Sequence, residues 1–107
     1  MPFDCLEVAL EAVRAVKPVI DQIAKHDPEL AKQLRQSAGA VPRNIAEARE
    51  RGGRDRTYRY RTAHGEAGES VVSVRIAIGW QYCTDELAAP SLSLFDRVRA
   101  MLWKLTH

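Results

Sequence analysis

The sequence predicts an all-α protein: an up-and-down antiparallel four-helix bundle that forms a single domain over residues 1–107. Three observations lead to this class. Apolar residues recur at helical spacing along four segments. No segment shows the alternation of apolar and polar residues that marks a half-buried strand. The connections between the four segments are short, which makes successive helices antiparallel neighbours. Because a chain of 107 residues buries a modest share of its surface, we also expect it to oligomerise.

The first predicted helix covers "FDCLEVALEAVRAVKPVIDQIAKH". Asp4 is its predicted N-cap, and Glu7 stands three residues later as in a capping box. Two apolar rows follow at helical spacing, one of Leu6, Leu10, Val13, Ile20 and Ile23 and the other of Val8, Ala12, Val16 and Val19. Pro18 lies inside the pattern, so we expect it to kink the helix rather than to end it.

The second predicted helix begins at Asp27, an N-cap that is followed by Pro28 at the first helical position. Its apolar stripe continues past Pro42, where we expect a second kink. The helix should reach about Arg49, and the two glycines at 52–53 should end it.

The third predicted helix runs from about Asp55 to Cys83 and carries two opposed stripes of small or apolar residues. One stripe comprises Tyr60, Ala63, Ala67, Val71, Val74, Ile78 and Gln81, and the other comprises Tyr58, Gly65, Gly68, Val72, Ile76, Gly79 and Cys83. A helix of a four-helix bundle needs cover on one side, so the second stripe predicts an oligomer interface. The residues assigned to this interface are Gly65, Gly68, Val72, Ile76 and Gly79. Each glycine inside a helix costs about 1 kcal/mol relative to alanine, which packing must offset.

The fourth predicted helix follows "TDELAAP" and reads "SLSLFDRVRAMLWKLTH". Ser93 is its predicted N-cap, with Asp96 three residues later. Leu94, Val98, Met101 and Leu105 form its main apolar row.

Positive charge is concentrated in residues 43–61, "RNIAEARERGGRDRTYRYR". Seven arginines stand there against three acidic residues, a net charge of +4 in a chain whose total is +2. Arginine suits bidentate contact with phosphate, and tyrosine can stack on bases. The predicted nucleic-acid-binding residues are Arg43, Arg49, Arg51, Arg54, Arg56, Tyr58, Arg59 and Arg61. The alternative is a solvated corner in which these arginines pair with Glu47, Glu50 or Asp55.

Enzyme motifs are not recognisable in the sequence. It has no P-loop, dinucleotide fingerprint or Ser/His/Asp motif, and no histidine has a glutamate three residues before it, as di-iron bundles require. We therefore expect no catalytic residues, no cofactor and no metal site, although a carboxylate metal site is a third hypothesis.

No apolar run approaches the length of a membrane span. Two cysteines outside any paired motif and no recognisable signal peptide predict a cytoplasmic protein.

One stretch, "QLRQSAGAVPRNIAEARERGG" at 33–53, resembles the signature of the four-helix-bundle family also known as the 23S ribosomal RNA intervening-sequence proteins. The matching positions are Gln33, Leu34, Arg35, Val41, Pro42, Asn44, Ile45, Ala46 and Glu47. On the third helix, Thr62, Ala63, Gly65 and Glu69 fall on the family's Ile-Ala-x-Gly-Ser-Leu-x-Glu frame. "RVRAMLWKL" at 97–105 resembles its closing segment. The chain departs at Arg43, where the family usually has Ser, and at Ala48, where it usually has Gly.

The resemblance implies a homopentamer with a central opening and no catalytic activity. Remote relatives act as accessory subunits of nucleic-acid-processing enzymes and bind nucleic acid through basic surfaces, so RNA, DNA or a nucleic-acid-processing protein is the implied partner. Arg35, Asn44, Glu47 and Glu69 stand at family positions. We expect them to form a structural polar network, with a buried Arg–Glu pair and with Asn44 bonded to the backbone near Pro42. A ligand site made by the same residues is the alternative. A second alternative function is an assembly scaffold that binds a protein partner and no nucleic acid.

Overall fold

The structure is a computed structural model that describes residues 4–107. It consists of four helices: α1 (Cys5–Ala24), α2 (Pro28–Arg49), α3 (Gly53–Gly79) and α4 (Asp85–Thr106). The described residues include no strand. The predicted all-α class is therefore confirmed. Phe3, where the predicted first segment begins, lies outside the described residues.

Each helix packs against two others, so the four helices surround one core. α1 contacts α2 and α4, and α3 contacts the same two helices. Short connections make consecutive helices antiparallel. The α2–α3 connection and the C-terminus therefore lie at one end of the bundle, and the α1–α2 and α3–α4 connections lie at the other.

The core is mainly aliphatic. Its largest fully buried side chains are Phe95, Ile23, Leu34, Ile45 and Leu102. Of the two apolar rows of α1, the row Val8, Ala12, Val16 and Val19 is buried throughout. Inside the core, the hydroxyl oxygens of Ser37 and Ser70 lie 2.8 Å apart and form a hydrogen bond that links α2 to α3.

The predicted starts of α1 and α2 are confirmed. Asp4 Oδ1 accepts from the backbone N–H of Glu7 at 2.9 Å, and Asp27 Oδ1 accepts from that of Leu30 at 3.0 Å. Both helices continue through their internal prolines, Pro18 and Pro42. A bend of the helix axis at these prolines stays a prediction.

The predicted start of α4 at Ser93 is wrong. The N-cap lies nine residues earlier, at Thr84, whose Oγ1 accepts from the backbone N–H of Leu87 at 3.1 Å. Two acidic residues, Asp85 and Glu86, occupy the first turn, where the helix dipole favours negative charge. Pro90 lies inside α4 without ending it.

α3 ends at Gly79, before the predicted Cys83. Gln81 adopts the left-handed conformation with φ 64°, and its backbone N–H donates to Ile78 O at 2.9 Å, while that of Tyr82 donates to Ala77 O at 2.8 Å. This pair of bonds is the Schellman motif, which usually places glycine at the left-handed position. Because Gln81 and not glycine occupies that position, the end of α3 was not evident from the sequence.

A candidate nucleic-acid interface at the α2–α3 corner

The seven arginines of residues 43–61, which we call the arginine corner, surround the turn between α2 and α3. α2 ends at Arg49 and α3 begins at Gly53, whose φ of +57° is one that glycine adopts readily. Arg56 Nε donates to Ala48 O at 3.2 Å and to Arg51 O at 2.7 Å. These bonds reach one carbonyl of the last turn of α2 and one carbonyl of the connection that follows it. Arg56 thus holds the turn in place.

Two further arginines of the corner are paired within the chain. Arg51 donates to Glu47 at 3.1 Å and to Asp55 at 3.0 Å, which joins the last turn of α2 to the first turn of α3. Arg49 lies 3.3 Å from Asp4 Oδ2 and so ties the end of α2 to the start of α1. The pKa of Asp4 is lowered, first by the backbone N–H of Glu7 and also by Arg49.

The other four arginines have most of their hydrogen-bonding capacity unused. Arg43, Arg54 and Arg61 are exposed and form no hydrogen bond or ion pair with residues 4–107. Arg59 is half-buried, and within the same residues its single bond is a long one of 3.5 Å from Nη1 to Asn44 Oδ1. Its guanidinium carbon lies 5.8 Å from the centre of the Tyr58 ring, which is 61% exposed.

A surface cleft of about 360 Å³ opens between α2 and α3 beside the corner. Its lining residues are Ala40, Arg43, Asn44, Glu47, Arg51 and Arg59. The volume is near the lower limit for small-ligand sites. Three guanidinium groups therefore share one cleft with a single carboxylate, an arrangement whose net charge favours anions.

The predicted polar network differs from what the structure shows. Arg35, Glu47 and Glu69 are exposed, and no buried Arg–Glu pair forms within residues 4–107. Asn44 Nδ2 does donate to a backbone carbonyl near Pro42, that of Ala40, at 2.8 Å.

The buried polar link is instead the Ser37–Ser70 pair, which was not predicted from the sequence. The available signal was one serine on each of two helices, placed at helical spacing from the small and apolar residues that face the core. Beside this link, burial and then the neighbouring Glu69 raise the pKa of Glu66.

The second stripe of α3 remains largely uncovered within the single chain. Gly65 and Gly79 are exposed, Val72 is 56% exposed and Ile76 is 39% exposed. A Cβ atom added at either glycine would meet no atom within 4 Å.

Two residues of the predicted stripe, Gly68 and Cys83, are less exposed than expected, and Trp80 adds an exposed side chain next to it. Gly68 is half-buried, and its added Cβ would lie 3.8 Å from the Arg99 side chain of α4. Cys83 is buried because the chain turns after Gly79. Trp80, which is 64% exposed and was not predicted for this surface, follows at the end of the helix.

Two other kinds of site are absent from the part of the chain that the structure describes. Residues 4–107 contain no group of three His, Cys, Asp or Glu side chains placed to hold a metal ion. None of the four helices combines the length and the apolar character that crossing a membrane requires, over the same residues.

Known proteins resemble this chain in fold and in sequence profile, although no curated protein matches it. A protein of unknown function from the S23 ribosomal protein family of Bacteroides thetaiotaomicron, solved as a crystal structure, superposes with a TM-score of 0.83 over 95% of this chain and 97% of that chain. At 23% sequence identity this likeness shows the fold. The profile of the 23S rRNA-intervening sequence protein family matches residues 3–104. The chain therefore belongs to the 23S rRNA-intervening sequence protein family.

Proposed function

We propose that this protein is a non-enzymatic, homo-oligomeric accessory protein of the cytoplasm that binds RNA or DNA through the arginine corner. One observation carries the proposal. Arg43, Arg54 and Arg61 lie around a single helix connection with no acceptor among residues 4–107. Arginines that are not used within the fold are free to replace the counterions of a nucleic-acid backbone, which is the main source of affinity in non-specific binding.

The exposed aromatic ring of Tyr58 fits the same role. It lies beside Arg59 at the start of α3, where a base could stack on it. Because the corner carries no helix-turn-helix arrangement, the proposed binding is to the backbone and to unpaired bases, with no sequence readout.

Self-association would strengthen the charge effect. The uncovered part of the stripe of α3 supports an oligomer, since a Cβ added at Gly65 or Gly79 would meet no atom of the same chain within 4 Å. Five is the subunit number that the family resemblance implies. A ring of five would repeat a net charge of +4 into a band on the order of +20, a much stronger field for a polyanion.

The test is fluorescence anisotropy with labelled single-stranded and double-stranded oligonucleotides over a series of salt concentrations. The triple variant R43Q/R54Q/R61Q removes three charges and no intramolecular bond among the described residues. We expect it to lose binding. Any residual binding should depend less on salt, with the slope of log affinity against log salt falling by about one for each arginine that no longer neutralises a phosphate.

The matched control is K32Q/R35Q/K104Q, which removes the same charge from exposed positions outside the corner and, like the test variant, breaks no hydrogen bond or ion pair among the described residues. Size-exclusion chromatography should show the same oligomer for both triple variants. Equal binding by the two variants would contradict a role for the corner.

An assembly scaffold for a protein partner is the second candidate function. Two observations favour it: Arg49, Arg51 and Arg56 are committed to intramolecular contacts, and α3 exposes apolar side chains. A scaffold should show no oligonucleotide binding at moderate salt while its oligomeric mass stays unchanged.

A further inference from the structure

We propose that the cleft between α2 and α3 binds one phosphate group, held by Arg43, Arg59 and Asn44. This inference rests on the proposed nucleic-acid binding, which it refines from a charged surface to a defined subsite. The ligand chemistry is a phosphate oxyanion, supplied either by a nucleic-acid backbone or by free phosphate.

The first argument is the unused hydrogen-bonding capacity of Arg59. A guanidinium has five N–H donors. In residues 4–107 only Nη1 has an acceptor, Asn44 Oδ1 at 3.5 Å, and the buried Nε has none. Enclosing a donor without an acceptor is unfavourable, because the donor loses its hydrogen bonds to water. An oxyanion in the cleft would accept from the other Arg59 N–H groups, which have no close acceptor within the same residues, whereas the enclosed Nε stays out of its reach.

The second argument is the balance of charge around the cleft. Arg51 also lines it, but Glu47 and Asp55 occupy both ends of that guanidinium. The carboxylate of Glu47 is thus held by Arg51, which reduces its repulsion of an incoming anion. Arg43 and Arg59 keep their charge without an ion-pair partner among the described residues.

The third argument concerns the position of Arg43. Its Nη2 lies 3.7 Å from where a Cβ of Gly39 would stand, so the side chain extends back along α2 from the cleft wall. Burial and then Glu69 raise the pKa of Glu66 in α3, and Arg43 lies close enough to oppose part of that rise. Asn44 adds a polar amide to the same cleft, with its Nδ2 donating to Ala40 O and its Oδ1 facing Arg59 Nη1 at 3.5 Å.

The experiment compares two matched pairs of variants in oligonucleotide binding at fixed salt. R43S and R59Q change the cleft, while R54S and R61Q remove the same charge from the corner outside it. We expect each cleft variant to weaken binding about tenfold, the effect of removing one charge-assisted hydrogen bond, and each control about twofold to threefold. Circular dichroism melting checks that all four variants fold.

In a second arm, isothermal titration calorimetry measures the binding of inorganic phosphate to each protein at constant ionic strength, with chloride as the reference anion. We expect weak saturable binding of phosphate by the wild type, and loss of that binding in R43S and R59Q alone.

The outcomes separate the two proposals. Equal weakening by cleft and control variants, with no saturable phosphate binding, would overturn the cleft and leave the proposed function standing. Phosphate binding that depends on Arg43 and Arg59, without any oligonucleotide binding, would support a free-phosphate site and overturn the proposed function. Binding of neither ligand would overturn both.

Discussion

The two faces of α3 carry small residues for different reasons. On the inner face, Ala63, Ala67 and Ala77 are fully buried, and their small side chains allow α3 to lie close to its neighbours. On the outer face, Gly65 and Gly79 have open space where a side chain would stand. Packing within the single chain thus explains the alanines and leaves these two glycines unexplained. A small residue therefore marks a close approach only when the neighbour that it packs against is identified.

Two valines of α3 that stand two residues apart give the largest expected difference between the faces in the effect of a substitution on the free energy of unfolding. Val74 is fully buried and Val72 is 56% exposed. We expect V74A to lower the free energy of unfolding by about 2 kcal/mol, because it removes buried methyl groups and leaves a cavity. V72A should change it by less than about 0.5 kcal/mol in a dilute, dissociated protomer.

Urea denaturation at low and high protein concentration measures both variants. At high concentration V72A should cost more, because it then weakens the proposed interface. A concentration-independent cost equal to that of V74A would contradict the view that the outer face is uncovered in the protomer.

The serine pair tests the polar part of the inner face. We expect S70A to lower the free energy of unfolding by about 1–2 kcal/mol, because Ser37 then loses its partner across the helix pair. The double variant S37A/S70A should cost less than the sum of the two single variants, as a double-mutant cycle would show. Additive costs would mean that the two hydroxyl groups do not interact.

Gly65 tests the outer face alone. In a protomer without a neighbour there, G65A should raise the free energy of unfolding by up to about 1 kcal/mol through helix propensity. In an oligomer that packs a second helix against Gly65, the same change should weaken assembly. Sedimentation velocity together with thermal melting distinguishes these results, and a variant that neither stabilises the protomer nor alters assembly would contradict the interface assignment.

Substitution of Glu66, which is half-buried between the two faces, should change the stability least. Burial and then Glu69 raise its pKa, so the folded protein holds this proton more tightly than the unfolded chain does. The associated stability is fully present below the ordinary carboxyl value of 4.5 and is lost as pH rises through the raised pKa. E66Q should therefore melt slightly higher than the wild type at neutral pH and at the same temperature below pH 4.5. An advantage that grows toward acid would contradict this assignment.

The sequence predictions were more accurate for features that depend on residues close together along the chain. The start of α2 was predictable because Asp27 and Pro28 act on the backbone within one turn. The predicted start of α4 at Ser93 is wrong because Thr84, which lies before Pro90, already caps the helix. The end of α3 was missed because Gln81 takes a conformation that its residue type rarely adopts.

The candidate site shows the same division. Its arginines are evident in the sequence, but their separate roles are not. Arg56 bonds the end of α2, Arg51 bridges two acidic residues, and Arg54 is free of partners within the described chain. These roles depend on the path of the backbone through the turn, which no spacing rule supplies. The predicted Arg–Glu pair was misplaced for the same reason, since Arg35 points away from the core.

The helical class, two helix starts, the family and the concentration of positive charge in residues 43–61 all follow from the sequence alone. Each of these depends on residue types, on spacing within a few turns or on matching positions along the chain. The tertiary structure alone decided which arginines remain unpaired among the described residues, that Arg43 and Arg59 share one cleft, and that Ser37 meets Ser70. Those facts join residues that are distant along the chain or on different helices, so they exist only once the helices have packed.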